Sequence, residues 1–201
     1  MKSIRPIAVF ILLAVFVTSI GAGCRTLRQV AALRSVRFNI DQVADVEFAG
    51  VSLGDTYESG ELSASEGAYI MRTLAQGEAP LEFTLHLDAT NPAENDVTAR
   101  LVEMDWTLLL DGTETVSGTF DQEVALPPGT TKDLALGIQL DLFRFFERGA
   151  QDLVELALAV AGAGGEPTDI TLRATPVIDT IIGPIRYPEP ITITLERVGG
   201  T

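Results

Sequence analysis

The 201-residue sequence contains one cysteine, one histidine and one tryptophan. A single cysteine excludes an intrachain disulfide, so burial rather than cross-linking must hold the chain together. With one histidine and no second thiol, carboxylates are the only remaining metal ligands, and no D-x-D-x-D-G loop gathers them. No structural or catalytic metal and no cofactor is expected. Asp41, Asp45, Asp55, Asp88, Asp105, Asp111 and Asp121 are at most loose Ca²⁺ ligands. Basic residues are also scarce, with 14 Lys and Arg against 28 Asp and Glu. Phosphate binding needs clustered cations that release counterions, so nucleic acid is excluded as a partner. Gly162-Ala163-Gly164-Gly165 follows a predicted helix instead of opening one, which excludes a phosphate cradle. Gly50-Val51-Ser52-Leu53-Gly54 matches G-x-S-x-G. That pattern needs a strand-to-helix elbow and a following acid and histidine, whereas His86 falls on the polar face of a predicted strand. No catalytic residue is assigned, and the protein is expected not to be an enzyme. A carboxylate pair of the glycosidase type remains the enzymatic alternative, because such pairs are defined by separation in space.

What is present begins at the amino terminus. Lys2 and Arg5 precede an uncharged apolar stretch over residues 7–20, and Gly21-Ala22-Gly23 then leads directly to Cys24. This resembles the lipobox of bacterial lipoproteins, with Gly21 where that pattern prefers Leu, Val or Ala. The resemblance implies a signal peptide over residues 1–23 and a lipid on Cys24. It also implies a place in the cell envelope, facing the periplasm or exterior, with the bacterial outer membrane as the first choice. Two other readings stay open. One is an ordinary cleaved signal with a free Cys24, and the other is an uncleaved anchor bordering on the roughly 20 residues that a spanning helix needs.

Charge divides the remainder into two parts. Residues 24–37 form a basic membrane-proximal stalk with Arg25, Arg28, Arg34 and Arg37, and no acid precedes Asp41. Residues 41–201 hold 8 basic and 28 acidic residues, a formal charge of −20. Each arginine beside an anionic bilayer contributes about 1 kcal/mol of attraction, whereas the acidic head is repelled. A solvated linker is the plainer reading of the stalk.

From Phe38 onward, apolar and polar residues alternate with period two, the mark of strands with one buried face. Leu81, Phe83, Leu85, Leu87 and Ala89 form one such set. Met104, Trp106, Leu108 and Leu110 form another, ending at Asp111-Gly112, a type I′ hairpin signal. Val116, Gly118 and Phe120 return. Leu134, Leu136, Ile138 and Leu140 follow Pro127-Pro128-Gly129, and Ile170, Leu172 and Ala174 precede Ile191, Ile193 and Leu195. A further strand is expected over residues 46–53. About seven strands around one tryptophan predict a mainly β fold, an antiparallel immunoglobulin- or fibronectin-like β-sandwich with two α-helices over residues 38–197 and a tail over 198–201.

The first helix is announced by the capping box Ser63-Ala64-Ser65-Glu66, carries Ile70, Met71 and Leu74 on one face and stops at Gly77. The second is predicted over residues 142–161, with a flexible glycine-rich exit at 162–165. Its simplest role is to cover an open end of the sandwich. An alternative is that Phe143, Phe145 and Phe146 line a pocket for a lipid or other apolar small molecule between the sheet and this helix.

The run from Leu81 through Asn91-Pro92, followed by Trp106, Asp111-Gly112, Ser117-Gly118 and Leu126-Pro127-Pro128-Gly129, resembles the late-embryogenesis-abundant type 2, or WHy, domain. Phe48-Ala49-Gly50-Val51-Ser52-Leu53 and the capped helix are similar to bacterial lipid-anchored members. Here Ala93 replaces the second Asn of the usual Asn-Pro-Asn. The resemblance implies a small β-sandwich associated with stress or desiccation tolerance, without catalytic residues. Other envelope proteins or stressed, partly unfolded clients are the expected partners, beside the membrane that holds the anchor.

Overall fold

The alternation around Leu85 becomes β3 (Pro80–Asn91), in which Leu81, Phe83, Leu85, Leu87 and Ala89 all point into the core. The computed structural model describes residues 36–54, 62–95, 97–179 and 183–198. β3 lies between β1 (Arg37–Phe48) and β7 (Thr130–Asp141), and β2 (Val51–Ser52) extends β1, giving a sheet of order β2-β1-β3-β7. The second sheet has the order β10-β8-β4-β5, built from β4 (Ala99–Leu110), β5 (Thr113–Phe120), β8 (Thr168–Ile178) and β10 (Ile191–Val198). Two short strands complete it: β6 (Val124–Leu126) pairs with β4, and β9 (Ile185–Arg186) pairs with β8. Every ladder is antiparallel. Among the described residues seven strands are eight residues or longer, the number that the alternation predicts.

The two inner faces meet as expected. Leu134, Leu136, Ile138 and Leu140 of β7 join the β3 set, opposite Met104, Trp106, Leu108 and Leu110 of β4 and Ile170, Leu172 and Ala174 of β8. Truncating any such leucine to alanine costs about 2–5 kcal/mol, from lost transfer energy and an unfilled cavity. Edge strand β5 lies against β7 and β10 against β1, so each sheet covers the other's rim.

Turn chemistry sets the local geometry. Asp111 and Gly112 have φ of 50° and 72°, the two positive values that a type I′ turn requires. The same device ends β1: Ala49 and Gly50, with φ of 51° and 76°, reverse the chain so that Phe48 pairs with Val51. The strand expected over residues 46–53 is therefore a hairpin. β1 itself is longer, and its register with β3 shifts twice, once between Ile40 and Gln42 and again between Ala44 and Glu47. Asp45, with φ of 53°, sits in the second bulge.

Trp106 stands opposite Gly118 across the β4–β5 ladder. A Cβ on Gly118 would lie 2.4 Å from Cζ2 of Trp106, so the indole occupies the space that any side chain there would need. Gly118→Ala is expected to lower stability by about 1–3 kcal/mol in chemical denaturation, as overpacking does. In a Trp106→Leu background the same change is expected to cost much less; equal costs in both backgrounds would refute the packing account.

α1 (Ala64–Ala75) has the predicted capping box in full, with the Glu66 amide donating to Ser63 Oγ at 3.3 Å and the Ser63 amide to Glu66 Oε2 at 2.8 Å. The hydroxyl and amide of Ser63 hold the exposed Glu66 carboxyl below its usual range. Gly77, at φ of 80°, ends the helix in a Schellman arrangement, its amide donating to the Leu74 carbonyl and that of Glu78 to Thr73. Ile70 and Leu74 are buried, but Met71 is turned outward and 56% exposed.

The helix expected over residues 142–161 is broken. A 3₁₀ turn over Leu142–Arg144 is capped by Asp141, whose Oδ1 accepts from the amides of Phe143 at 3.0 Å and Ala79 at 3.2 Å. Gly149, extended at φ of −68° and ψ of 160°, then starts a separate α2 (Ala150–Val160). Leu153, Leu156, Ala157, Ala159 and Val160 are its buried face, which packs at one end of the sandwich against β1 and β8. The exit over residues 162–165 is not a loose tether. Gly162 and Ala163 donate back to Ala159 and Leu158, and a Cβ on Gly165 would meet the Glu155 carbonyl oxygen at 2.3 Å. The chain folds back along α2 before entering β8.

Candidate functional site

Cys24, Arg25, Arg28 and Arg34 lie outside the described residues. Arg37 is exposed and opens β1 opposite Thr90. Phe146 is a core residue at 6% exposure, with the Arg148 guanidinium 5.2 Å from its ring centroid; Phe143 and Phe145 pack, partly buried, against the same core. Ser52 lies in β2, opposite Glu47 of β1. His86 Nδ1 pairs with Asp133 Oδ2 at 2.8 Å on the outer face of the first sheet. No group of three or more His, Cys, Asp or Glu among the described residues could hold a metal ion.

The end of the sandwich that α2 covers carries a pocket of about 460 Å³. Three separate parts of the chain build it: Asp111 at the β4–β5 turn, Arg148 with Asp152, Glu155 and Leu156 of α2, and Glu166-Pro167-Thr168 leading into β8. The Asp111 amide donates to the Asp169 carbonyl at 2.9 Å, which ties the turn to β8. Arg148 Nη2 donates to Asp111 Oδ2 at 2.9 Å, so the one cation of the lining is already paired. Gln151 donates to Glu155 at 3.2 Å, whereas Asp152 and Glu166 have no ion-pair partner among the described residues. Phe143, Phe145 and Phe146 do not line this pocket.

Two polar side chains are buried among the described residues, and they contrast sharply. Asn91, 0% exposed, donates through Nδ2 to the carbonyls of Leu126 at 2.7 Å and Val97 at 3.2 Å, and accepts from Asn95. Asn95 thus ties the turn after Pro92 back to the end of β3. Thr168, 4% exposed, lines the pocket, and its Oγ1 has no hydrogen-bond partner among the described residues. A buried hydroxyl left unpaired costs about 1–3 kcal/mol and calls for an explanation. The acidic pocket was not legible in the sequence, because its carboxylates come from three distant segments.

A second charged cluster lies on the outer face of the other sheet. Arg186 of β9 donates to Glu103 at 2.9 Å and also to Asp105, which accepts from Thr119 at 2.9 Å as well. The Arg186 hydrogen bond first, and then that of Thr119, hold the Asp105 carboxyl below its usual range; Asp105 in turn raises the Arg186 guanidinium. A depressed carboxylate stabilises the fold above its unfolded value, about 3.9, and that stabilisation disappears as pH falls through the lower folded value. Asp105→Asn is therefore expected to weaken the fold at neutral pH and to lessen its dependence on pH in the acid range. An acid-unfolding curve unchanged in slope would contradict that linkage.

No family model matches the sequence, and no curated protein matches it. Among solved structures, the chain is similar to a crystal structure of a protein from Archaeoglobus fulgidus, with 12% identity over 81% of this chain and 99% of that one, at a TM-score of 0.37. A solution structure from Arabidopsis thaliana matches at 19% identity over 60% of this chain and 72% of the other, with a TM-score of 0.39. Another solution structure, of "a putative late embryogenesis abundant (LEA) protein", matches at 15% identity over 95% and 90%, with a TM-score of 0.36. At such TM-scores these likenesses carry no argument about activity.

Proposed function

We propose that the protein is a lipid-anchored module of the cell envelope, held to a membrane through Cys24, whose β-sandwich head acts without catalysis as a binding or stress-protective unit. Its partners are other envelope proteins or partly unfolded clients. The observation that carries this reading is the use to which the WHy-like residues are put. Asn91 latches strand ends, Gly118 makes room for Trp106, and Asp111-Gly112 turns a hairpin. A signature made entirely of architectural residues supports a sandwich whose function lies in its surface.

That surface is solvated and strongly acidic. Threonine and serine hydroxyls pair across strands at Thr90 with Thr131, Thr107 with Ser117 and Thr171 with Thr194. The charge of −20 over residues 41–201 supports solubility of a crowded assembly, while the arginines after Cys24 favour an anionic bilayer. The test is aggregation of a client enzyme during drying and heating, with and without the full-length protein in lipid nanodiscs. Protection that rises with dose is expected; no protection and no captured envelope partner would refute the reading.

A further inference from the structure

We infer that the free edge of β7 takes up an extended peptide of alternating apolar and basic residues, which joins the first sheet as a further strand in the groove between β7 and β5. The inference rests on the head being a binding unit, and it names the segment that is bound. β7 ends the first sheet, and its 12 residues pair with β3 without a bulge or a register shift. Over residues 131–141 no backbone hydrogen bond reaches any strand but β3 among the described residues. An antiparallel strand with one neighbour leaves alternate N–H and C=O groups facing outward, a template for another strand. The devices that blunt such an edge are missing from its middle, since residues 134–138 hold no charge, no proline and no bulge.

The cover that β5 gives β7 is incomplete, because a groove of about 580 Å³ opens beside it. Gly137, Ile138 and Gln139 of β7 line it together with Trp106, Val116 and Ser117 of the second sheet. Gly137 contributes no side chain, and nothing lies within 4 Å of where its Cβ would be. Side chains of an added strand alternate between two faces. Those turned inward meet Trp106 and the half-buried Val116. Those turned outward have an open path over Gly137 to Asp45, Glu47 and Glu82, which line the same groove. Glu47 and Glu82 stand directly opposite each other in the β1–β3 register, an arrangement that destabilises a sheet. None of these three acids has an ion-pair partner among the described residues. A lysine or arginine of the added strand relieves that repulsion, and the charge of −20 over residues 41–201 favours a basic segment over an acidic one.

Titration of the full-length protein in detergent micelles with acetyl-Val-Lys-Val-Lys-Val-Lys-amide tests this, read by calorimetry and by the fluorescence of Trp106, the only tryptophan. Saturable binding with a shifted Trp106 emission is expected. The Val-Glu counterpart, and a Val-Lys peptide methylated on its backbone nitrogens so that it donates nothing to β7, are each expected to bind about tenfold more weakly or worse. Gly137→Arg fills open space at a strand position that glycine weakens, so it is expected to reduce affinity about tenfold without lowering the unfolding temperature. Glu47→Gln combined with Glu82→Gln is expected to reduce affinity similarly at low salt, also without loss of stability, because it removes a like-charge pair. Peptide binding without client protection would retire the protective reading alone, whereas protection without peptide binding would retire this inference alone. No saturable binding, equal affinity for the Val-Glu or methylated peptide, or affinity unchanged in both variants would overturn it. So would a dimer in sedimentation that Gly137→Arg abolishes and the peptide does not displace, which would assign the edge to a second copy of the chain.

Discussion

Replacing Gly165 with alanine is expected to destabilise the domain by about 3–5 kcal/mol. Two costs combine. Gly165 has φ of 82°, a left-handed conformation that penalises an L side chain. The new Cβ would also lie 2.3 Å from the Glu155 carbonyl oxygen and 3.2 Å from the Ala159 amide nitrogen, which are backbone atoms of α2 and cannot rotate away. Relief requires moving the 162–167 segment off the helix, which would also open the wall formed by Glu166 and Pro167. Urea denaturation followed by Trp106, the only tryptophan, measures this; a loss below about 1 kcal/mol would show that the segment is not packed as described.

Asn91→Ala comes next, with an expected loss of about 3–4 kcal/mol. The side chain spans the end of β3, the approach to β4 and the end of β6. Its removal takes away the donor to the buried Leu126 carbonyl and the part-buried Val97 carbonyl, and one hydrogen bond to Asn95. Asn91→Asp separates bonding from volume. It keeps the shape but sets a carboxylate against two carbonyl oxygens, so it is expected to cost at least as much as alanine. A nearly neutral Asp variant would mean that the cavity, not the hydrogen bonds, dominates.

What the sequence revealed depended on whether the causes were local. β3 was legible because five buried apolar positions alternate with polar ones along twelve residues, and both faces obey the pattern. The Ser63 capping box, the Gly77 stop and the Asp111-Gly112 turn are equally local, and all occur as read. β1 was harder: its bulges at Asp41 and Asp45 are set by register with β3, which no period within β1 records. Residues 142–161 carry helical spacing throughout. Yet Asp141 caps a 3₁₀ turn and Gly149 restarts the helix, so the spacing of Leu142, Phe145 and Phe146 belongs to a different element from that of Leu153. Met71 follows Ile70 on the helix but faces solvent, since one turn packs only part of its circumference. The acid-lined pocket was invisible for a simpler reason. Asp111, Asp152 and Glu166 are brought together only when the β4–β5 turn, α2 and the start of β8 meet at one end of the sandwich.

The proposed placement at a membrane rests on Cys24. Intact-mass and peptide mass spectrometry of the protein purified from its native cells tests it directly. The proposed anchor predicts a mature chain that begins at Cys24, lacks residues 1–23 and carries the mass of attached acyl chains on its first residue. An unmodified Cys24, or a leader still joined to it, would contradict that claim.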